Sequence, residues 1–201
     1  LGMHGNYSTN MLTNEADVLI AVGMRFDDRV TGKLDEYAPD ARIVHIDIDP
    51  AEIGKNVPTE VGIVADAGVA LAALTPLVEP RDRTDWYAQF QALDVEEHEV
   101  VTAPLLEDAD GTLSMASVVR RLSDKTNGDA IIVSDVGQHQ MHVARHYAFQ
   151  QPHSHVTSGG LGTMGFALPA AIGAAVGAAM SDVNRPIIAI AGDGGFQMNL
   201  Q

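Results

Sequence analysis

Short apolar runs that each end in polar residues and glycines constrain the fold of this chain more than any other feature. Stretches between them carry helical patterns, at residues 68–74, 114–122 and 138–147. Short buried strands that alternate with helices are typical of parallel sheets. We therefore predict the α/β class, with two incomplete parallel-sheet, Rossmann-like units. The predicted strands are residues 17–22, 42–46, 61–64, 130–134 and 186–191.

The composition changes in the middle of the chain, which indicates two units. Residues 76–113 contain prolines, acidic residues and scattered aromatics, with a helical pattern only near residues 86–93. We predict that this stretch is a connector. The first unit would then be residues 1–75, and the second would be residues 114–201.

Charge and cysteine content exclude several classes of function. The 12 basic residues face 27 acidic ones, for a net charge of −15, so an extended nucleic-acid backbone would be repelled. The absence of cysteine excludes disulfides, thiolate metal sites and a thiol nucleophile. Residues 161–180 carry no charge, but their glycines and alanines and Pro169 favour a buried helix over a membrane span.

The final predicted strand leads into a carboxylate between glycines, Gly192-Asp193-Gly194. Ligands of open parallel sheets bind at the carboxyl ends of the strands, where glycines let backbone amides approach a phosphate. A carboxylate there suits a magnesium-bound diphosphate. A simple Asp-Gly turn explains the same residues without any ligand.

Charged clusters also follow the strands of the first unit. Arg25, Asp28 and Arg29 belong to a segment that could clamp an anion or form a solvated ion-pair loop. Asp47 and Asp66 each follow a predicted strand, where an acid either accepts ribose hydroxyls or caps a helix. On position alone, capping is the better explanation.

A concentration of histidines raises the alternative of a metal-binding module. The spacing of three of them places them on one helical face, and two more follow closely. The chain has no His-Glu-x-x-His arrangement, which disfavours a transition-metal site. These histidines are His139, His142, His146, His153 and His155.

Several motifs taken together closely resemble one family, the acetohydroxyacid synthase (acetolactate synthase) large subunits. The likeness covers nearly the whole chain, and the Arg-Phe-Asp-Asp-Arg and Gly-Gln-His-Gln-Met stretches are its most specific parts. The motifs are Leu1-Gly-Met-His-Gly5, Arg25-Phe-Asp-Asp-Arg-Val30, His45-Ile-Asp-Ile-Asp49, Gly137-Gln-His-Gln-Met141, Ser158-Gly-Gly-Leu-Gly162, Met164-Gly-Phe166 and Gly192-Asp-Gly194.

The resemblance implies an enzyme that decarboxylates pyruvate and joins the two-carbon unit to a second 2-ketoacid, pyruvate or 2-ketobutyrate. Its cofactors would be thiamine diphosphate, Mg²⁺ and FAD, and its pathway would be the synthesis of valine, leucine and isoleucine. It also implies a homodimer or tetramer, a small regulatory subunit, and a cytoplasmic or plastid location. No nucleic-acid or membrane partner is expected.

The resemblance further assigns residues to a partial FAD-contacting middle domain and a partial thiamine-diphosphate-binding domain. Arg29 would face the substrate channel, Asp193 would bind the metal, and Met164 would bend the thiamine cofactor. The FAD residues would be His4, Gly23, Arg25, Asp28, Asp47, Ile48, Asp66, Ala67, Gln140 and Met141. The thiamine diphosphate residues would be Val136, Gly137, Gln138, His139, Gly162, Met164, Asp193, Gly194 and Gly195.

The same resemblance leads us to expect a fragment. In the family, the glutamate that activates the cofactor and an asparagine that completes the magnesium site lie outside this stretch, so no residue here is assigned as catalytic. The chain also begins at Leu1 without an initiator methionine or a targeting segment. We expect the chain by itself to be inactive. The alternatives are another thiamine-dependent carboligase, such as glyoxylate carboligase, and a non-catalytic FAD- or metal-binding module.

Overall fold

The computed structural model describes residues 1–107 and 111–200, and the chain divides into two compact units, Leu1–His98 and Glu99–Gln201. The first unit contains a parallel sheet of three strands in the order β1-β2-β3. These strands are β1 (Val18–Val22), β2 (Arg42–Asp47) and β3 (Val61–Val64). Each corresponds to a predicted strand, so the parallel α/β prediction is confirmed for this unit.

Helices connect and flank the strands of the first unit. Its core is apolar and includes the buried side chains of Phe26, Ile43 and Val57. The α-helices are α1 (Tyr7–Asn14), α2 (Asp28–Thr31), α3 (Ala67–Leu74) and α4 (Thr84–Glu97). Short 3₁₀ helices lie at Gly2–His4, Leu34–Glu36 and Thr75–Leu77.

Helix α4 lies inside the segment that the sequence indicates to be a connector. The helical pattern near residues 86–93 is confirmed, and the helix is longer than predicted. It packs on α1, where the hydroxyl of Ser8 donates to Asp94 at 2.5 Å and the backbone N–H of Tyr7 donates to Glu97 at 3.1 Å. The compact first unit therefore extends to His98, while the boundaries of the complete domains remain a prediction.

The second unit also contains three parallel strands, in the order β5-β4-β6. They are β4 (Ile131–Ser134), β5 (His155–Thr157) and β6 (Ile187–Ile190). Strands β4 and β6 were predicted, whereas β5 was not. The helices are α5 (Ala103–Leu106), α6 (Met115–Thr126), α7 (Gln138–His146), α8 (Ala167–Met180) and α9 (Asp193–Gln197), and a π-helical turn precedes them at His98–Thr102.

The core of the second unit lies between β4 and the helices α6 and α7. Ile132, Val119 and Val143 are fully or almost fully buried there. Helix α6 begins after Ser114, whose hydroxyl accepts from the backbone N–H of Ser117, and ends at Asn127 in the left-handed conformation. These caps set where the helix begins and ends. Its buried residue Val119 packs in the core with Ile132 of β4.

Helix α8 occupies most of the uncharged stretch at residues 161–180. It begins at Ala167, after the N-cap residue Phe166, and Gly165 before them has φ 84°, which a regular helix does not use. Across residues 1–107 and 111–200, no helix combines the length and apolar character needed to cross a bilayer.

Candidate functional site

Three loops meet at the carboxyl edge of the second sheet. Strand β4 is central, and its last residue, Ser134, pairs with Thr157 of β5 and with Ile190 of β6. The loops that follow these three residues therefore start at one edge of the sheet. They contain four of the residues assigned to thiamine diphosphate, Val136, Gly137, Gly162 and Met164. The other assigned residues lie in the first turns of α7 and α9.

Asp135 is the most buried charged residue of this edge, with 1% of its surface exposed. Its Oδ1 accepts the backbone N–H of Val136 at 2.7 Å and that of Gly165 at 3.0 Å. Its Oδ2 accepts from Gly165 and Ala167, both at 3.2 Å. One carboxylate thus joins the loop after β4 to the loop that precedes α8.

Glycines clear space on both sides of His139, in the first turn of α7. A β-carbon on Gly137 would lie 2.8 Å from Cε1 of His139, and one on Gly192 would lie 3.7 Å from the same atom. Gly137 has φ 153° and ψ −168°, a conformation that suits glycine. The ring Nε2 is buried and has no hydrogen-bond partner among the described residues.

The turn after β6 approaches the loop that carries Met164. The Met164 Cε lies 4.0 Å from where a β-carbon of Gly194 would be, and a β-carbon on Gly195 would lie 3.0 Å from Cγ of Asp135. Asp193 begins α9 and is exposed, and Met164 is 48% exposed. Val136 Cγ1 lies 4.0 Å from the corresponding position at Gly162.

The structure therefore brings together the residues that the resemblance assigns to thiamine diphosphate. Val136, Gly137, Gln138 and His139 follow β4, Gly162 and Met164 lie in the loop between β5 and α8, and Asp193, Gly194 and Gly195 follow β6. Backbone amides, a carboxylate and an unpartnered imidazole nitrogen at one sheet edge can bind an anion together with its cation.

Gln140 and Met141, in the first half of α7, are the residues of the second unit that the resemblance assigns to FAD. Gln140 is 9% exposed, and its amide donates to the hydroxyl of Thr157 at 2.8 Å. Met141, the next residue, is partly exposed. The Gln140 contact fastens α7 to β5, and the assignment of both residues to FAD stays a prediction.

The histidines of the second unit do not gather into a metal centre. The rings of His142 and His146 stack at 5.5 Å, and His155 stacks on Phe149 at 5.2 Å while its Nε2 lies 2.8 Å from the Ser134 hydroxyl. The pKa of His142 is lowered, chiefly by burial and also by the charge of Arg145. In the described part of the chain, no three His, Asp or Glu side chains are grouped to hold a metal.

The carboxyl edge of the first sheet gathers a second set of assigned residues. Gly23 follows β1 with φ 62° and has open space where a β-carbon would be. Asp47 ends β2, is 9% exposed and accepts the backbone N–H of Asp49 at 2.9 Å. Ile48 beside it is 72% exposed. Asp66 follows β3 and caps α3 by accepting from Val69 at 3.1 Å, so the helix-capping interpretation is confirmed for Asp66.

The Arg-Phe-Asp-Asp-Arg segment crosses from β1 to α2 around a buried ring. Phe26 is 3% exposed, with φ 50°, and its backbone carbonyl accepts from the Asn56 amide at 3.1 Å. Arg25 forms a salt bridge with Asp27 at 2.8 Å. The side chain of Arg29 is 70% exposed and its Nε lies 3.8 Å from the Asp28 carboxylate, so its guanidinium faces solvent. The segment therefore contains both an ion-pair loop and an exposed cation.

A cavity of about 280 Å³ lies next to this segment in the first unit. Tyr37 lines it, and burial raises the pKa of its hydroxyl, which has no hydrogen-bond partner among the described residues. His4 ends the 3₁₀ turn whose other two residues line the cavity. The lining residues are Leu1, Gly2, Met3, Asn10, Thr13, Asn14, Asp28, Arg29, Val30, Thr31, Gly32 and Tyr37.

Two buried polar residues of these edges were missed by the sequence reasoning. Asp135 follows the strand at residues 130–134, and the strand-end argument that identified Asp193 applies to it equally. His45 is completely buried on β2, neither of its ring nitrogens has a hydrogen-bond partner within residues 1–107 and 111–200, and Nε2 lies 3.9 Å from the Asp47 carboxylate. His45 was quoted only as part of the His45-Ile-Asp-Ile-Asp49 motif, and no role was assigned to it.

Comparison with known families agrees with the division into two units. Residues 1–74 match the family described as "Thiamine pyrophosphate enzyme, central domain". Residues 135–201 match the family described as "Thiamine pyrophosphate enzyme, C-terminal TPP binding domain". The second match begins at Asp135, so it includes all three loops at the carboxyl edge of the second sheet.

Curated relatives resemble the chain along its whole length. The chain is 44% identical to acetolactate synthase isozyme 1 large subunit of Escherichia coli, of which it covers 34%. It is 47% identical to the chloroplastic acetolactate synthase 2 of Nicotiana tabacum and 42% identical to the acetolactate synthase of Mycobacterium leprae, covering 30% and 32% of them. All of this chain is matched in each case, and it spans about a third of these relatives' length. The chain therefore matches the central and C-terminal domains of thiamine pyrophosphate enzymes and is similar throughout to acetolactate synthases.

Proposed function

We propose that this chain is part of the catalytic subunit of an acetolactate synthase. The observation that carries the proposal is the convergence of Asp193, His139 and Met164 at one sheet edge, within the match to a thiamine pyrophosphate binding domain. The reaction would be the decarboxylation of pyruvate and the transfer of its two-carbon unit to pyruvate or 2-ketobutyrate. Similarity to acetolactate synthases over all of the chain supports this substrate class.

The residues of the second sheet fit a bound diphosphate. A β-carbon at Gly137 or Gly195 would lie 3.0 Å or less from a neighbouring side chain, so both positions need glycine, and the Gly194 backbone lies open beside Met164. The buried Nε2 of His139 has no partner in the described part of the chain and would gain one from a phosphate oxygen. Asp193 would hold Mg²⁺, because an exposed carboxylate is a suitable ligand for a hard cation.

When bound, thiamine diphosphate supplies the carbanion chemistry that removes carbon dioxide from a 2-ketoacid. This chain's own residues would provide the geometry. Val136, Gly137, Gln138 and Gly162 would line the cofactor, with Gly194 and Gly195 against the diphosphate. Met164 would press on the cofactor's middle from the opposite loop, and its apolar side chain would keep water away.

The first unit would contribute to an FAD site and to the substrate channel. His4, Gly23, Arg25, Asp28, Asp47, Ile48, Asp66 and Ala67 would contact FAD, together with Gln140 and Met141. The exposed residues Gly23 and Ile48 leave the carboxyl edge of β1 and β2 open to a ligand. Arg29 would attract the carboxylate of the second ketoacid, because its exposed guanidinium has a weak ion pair at 3.8 Å.

We also infer the setting of the enzyme. The Escherichia coli relatives are named large subunits, which supports a small regulatory partner. A homodimer or tetramer and a cytoplasmic or plastid location complete the proposal, and the name "chloroplastic" of the tobacco relatives supports the plastid option.

The test is cofactor omission with the complete gene product. Acetolactate formed from pyruvate would be measured with thiamine diphosphate, Mg²⁺ and FAD, each left out in turn. We expect product only when all three are present. Turnover that is indifferent to FAD, or that prefers glyoxylate, would instead indicate another carboligase. A flavin spectrum without carboligation would indicate a binding module.

A further inference from the structure

Asp135 has a geometry that no assigned role explains. Among the described residues of the second unit it is the buried acidic residue, with 1% of its surface exposed. It lies directly after the central strand β4. Both carboxylate oxygens accept backbone N–H groups, from Val136 on one side and from Gly165 and Ala167 on the other. Gly165 and Ala167 lie 30 and 32 residues after Asp135 in the sequence.

A second element also packs against this carboxylate. A β-carbon on Gly195 would lie 3.0 Å from Oδ2 of Asp135, so the turn after β6 touches the carboxylate through a residue without a side chain. Asp135 thus contacts the loops that follow β4 and β6 and the loop that precedes α8. The loop before α8 contains Met164, and the other two lead directly into the first turns of α7 and α9, which carry His139 and Asp193.

We propose that Asp135 is a positioning residue that fixes Met164 and the turn of Asp193 to Gly195 at the separation the thiamine cofactor needs. The inference rests on the proposed function, and it adds a residue outside the set assigned to the cofactor. Asp135 acts only through the backbone of the two loops. Its carboxylate is buried and lies against the backbone of Gly195.

The substitution Asp135→Asn is a sharp test because it preserves the size of the side chain. Both oxygens of Asp135 are acceptors, so either orientation of the amide would turn an NH₂ donor toward a backbone N–H. At least one N–H of the loop would then lose its acceptor. The matched control is Asp124→Asn, at an exposed position of α6.

Hydrogen exchange of the complete gene product, without any cofactor, gives the first readout. In Asp135→Asn we expect the amides of Gly165 and Ala167 to exchange about tenfold faster, because their opening is no longer opposed by a charged acceptor. The amides of α6 should keep their rates, as should every amide in Asp124→Asn. Unchanged exchange at Gly165 and Ala167 would overturn the proposal.

Cofactor titration gives the second readout. We expect the KM for thiamine diphosphate to rise about tenfold in Asp135→Asn, as for other residues that orient a binding group, with a smaller change in kcat at saturation. The flavin spectrum should be unchanged. A uniform loss of active enzyme with an unchanged KM would show a purely structural residue and overturn the proposal. If the wild-type protein binds no thiamine diphosphate, the proposed function fails, and the exchange experiment still decides whether Asp135 holds the loop.

Discussion

The thioether methyl of Met164 lies 4.0 Å from the position that a β-carbon of Gly194 would occupy. Met164 belongs to the loop before α8, and Gly194 belongs to the first turn of α9, after β6. Their approach sets the width of the space between this loop and this turn. A larger side chain at Gly194 would fill that space, and a smaller one at Met164 would widen it.

Met164→Ala should therefore weaken the cofactor site without unfolding the protein. The side chain is 48% exposed, so we expect a loss of unfolding free energy below about 1 kcal/mol. The KM for thiamine diphosphate should rise while the far-UV circular dichroism stays the same. Met180→Ala, at an 83% exposed position, is the control and should change neither quantity. An unchanged KM would remove Met164 from the site.

Gly195→Ala should be destabilising, because the new β-carbon would lie 3.0 Å from the buried carboxylate of Asp135. That carboxylate is held by backbone N–H groups and cannot move away freely. We expect a loss of about 1–3 kcal/mol in urea unfolding. Gly173→Ala in α8 is the comparison, since nothing lies within 4 Å of its β-carbon position. Equal midpoints for the two variants would contradict this account.

The pKa of His142 should respond to Arg145. Burial is the larger cause that lowers this pKa below its ordinary value of 6.5, and the Arg145 charge is the smaller. Arg145→Gln should therefore raise the pKa only part of the way. We would follow the ring signals of ¹³C-labelled histidine by NMR in this chain, with Lys125→Gln as the control.

The same pKa gives the sign of a stability change with pH. Because the pKa of folded His142 lies below its unfolded value, the unfolded chain takes up the proton first as the pH falls. The contribution of His142 to the unfolding free energy is fully present above the unfolded pKa. It is lost as the pH falls from the unfolded pKa to the folded pKa. His142→Gln should reduce this pH dependence of the unfolding free energy. An unchanged pH dependence would show that another group causes it.

Arg29→Gln should reduce the use of the 2-ketoacid by the complete gene product. A charged hydrogen bond to the substrate carboxylate is worth roughly 1.5–3 kcal/mol, so kcat/KM for pyruvate should fall by about 10- to 100-fold. Lys33→Gln, which removes another exposed cation of the first unit, should leave it unchanged. Equal effects of both substitutions would point to general electrostatics instead of a specific contact.

The chain by itself should form no acetolactate. It spans about a third of the length of its curated relatives, and the resemblance places the activating glutamate and one magnesium ligand outside this stretch. The assay is acetolactate formation by the purified chain with all three cofactors. Detectable product would show that the described loops suffice for turnover.

The strands, and the gathering of the assigned residues at the carboxyl edge of the second sheet, were largely predictable, and the exceptions have physical reasons. Runs such as residues 130–134 and 186–191 are continuous and apolar, which is typical of strands in a parallel sheet. Strand β5 has only three residues, His155–Thr157, and a histidine among them, so no periodicity reveals it. It forms because the central strand β4 offers its other edge as a template.

The contacts between loops could not be predicted from sequence patterns. Asp193 stands out because glycines flank it, whereas Asp135 follows its strand without such a mark. Its donors at Gly165 and Ala167 come from a loop that becomes a neighbour only after the chain has folded. The capping role of Asp66, in contrast, is local, and position alone was enough to predict it.

Strand β3 has a practical consequence for anyone who produces this polypeptide. Its four residues, Val61–Val64, are all exposed and lie at the edge of a three-stranded sheet. A short, uncharged edge of this kind is a template onto which a strand of another molecule can add. Purified samples should therefore self-associate as the concentration rises. The substitution Ile63→Lys, which would place a charge on this exposed strand, is the change that should keep them monodisperse.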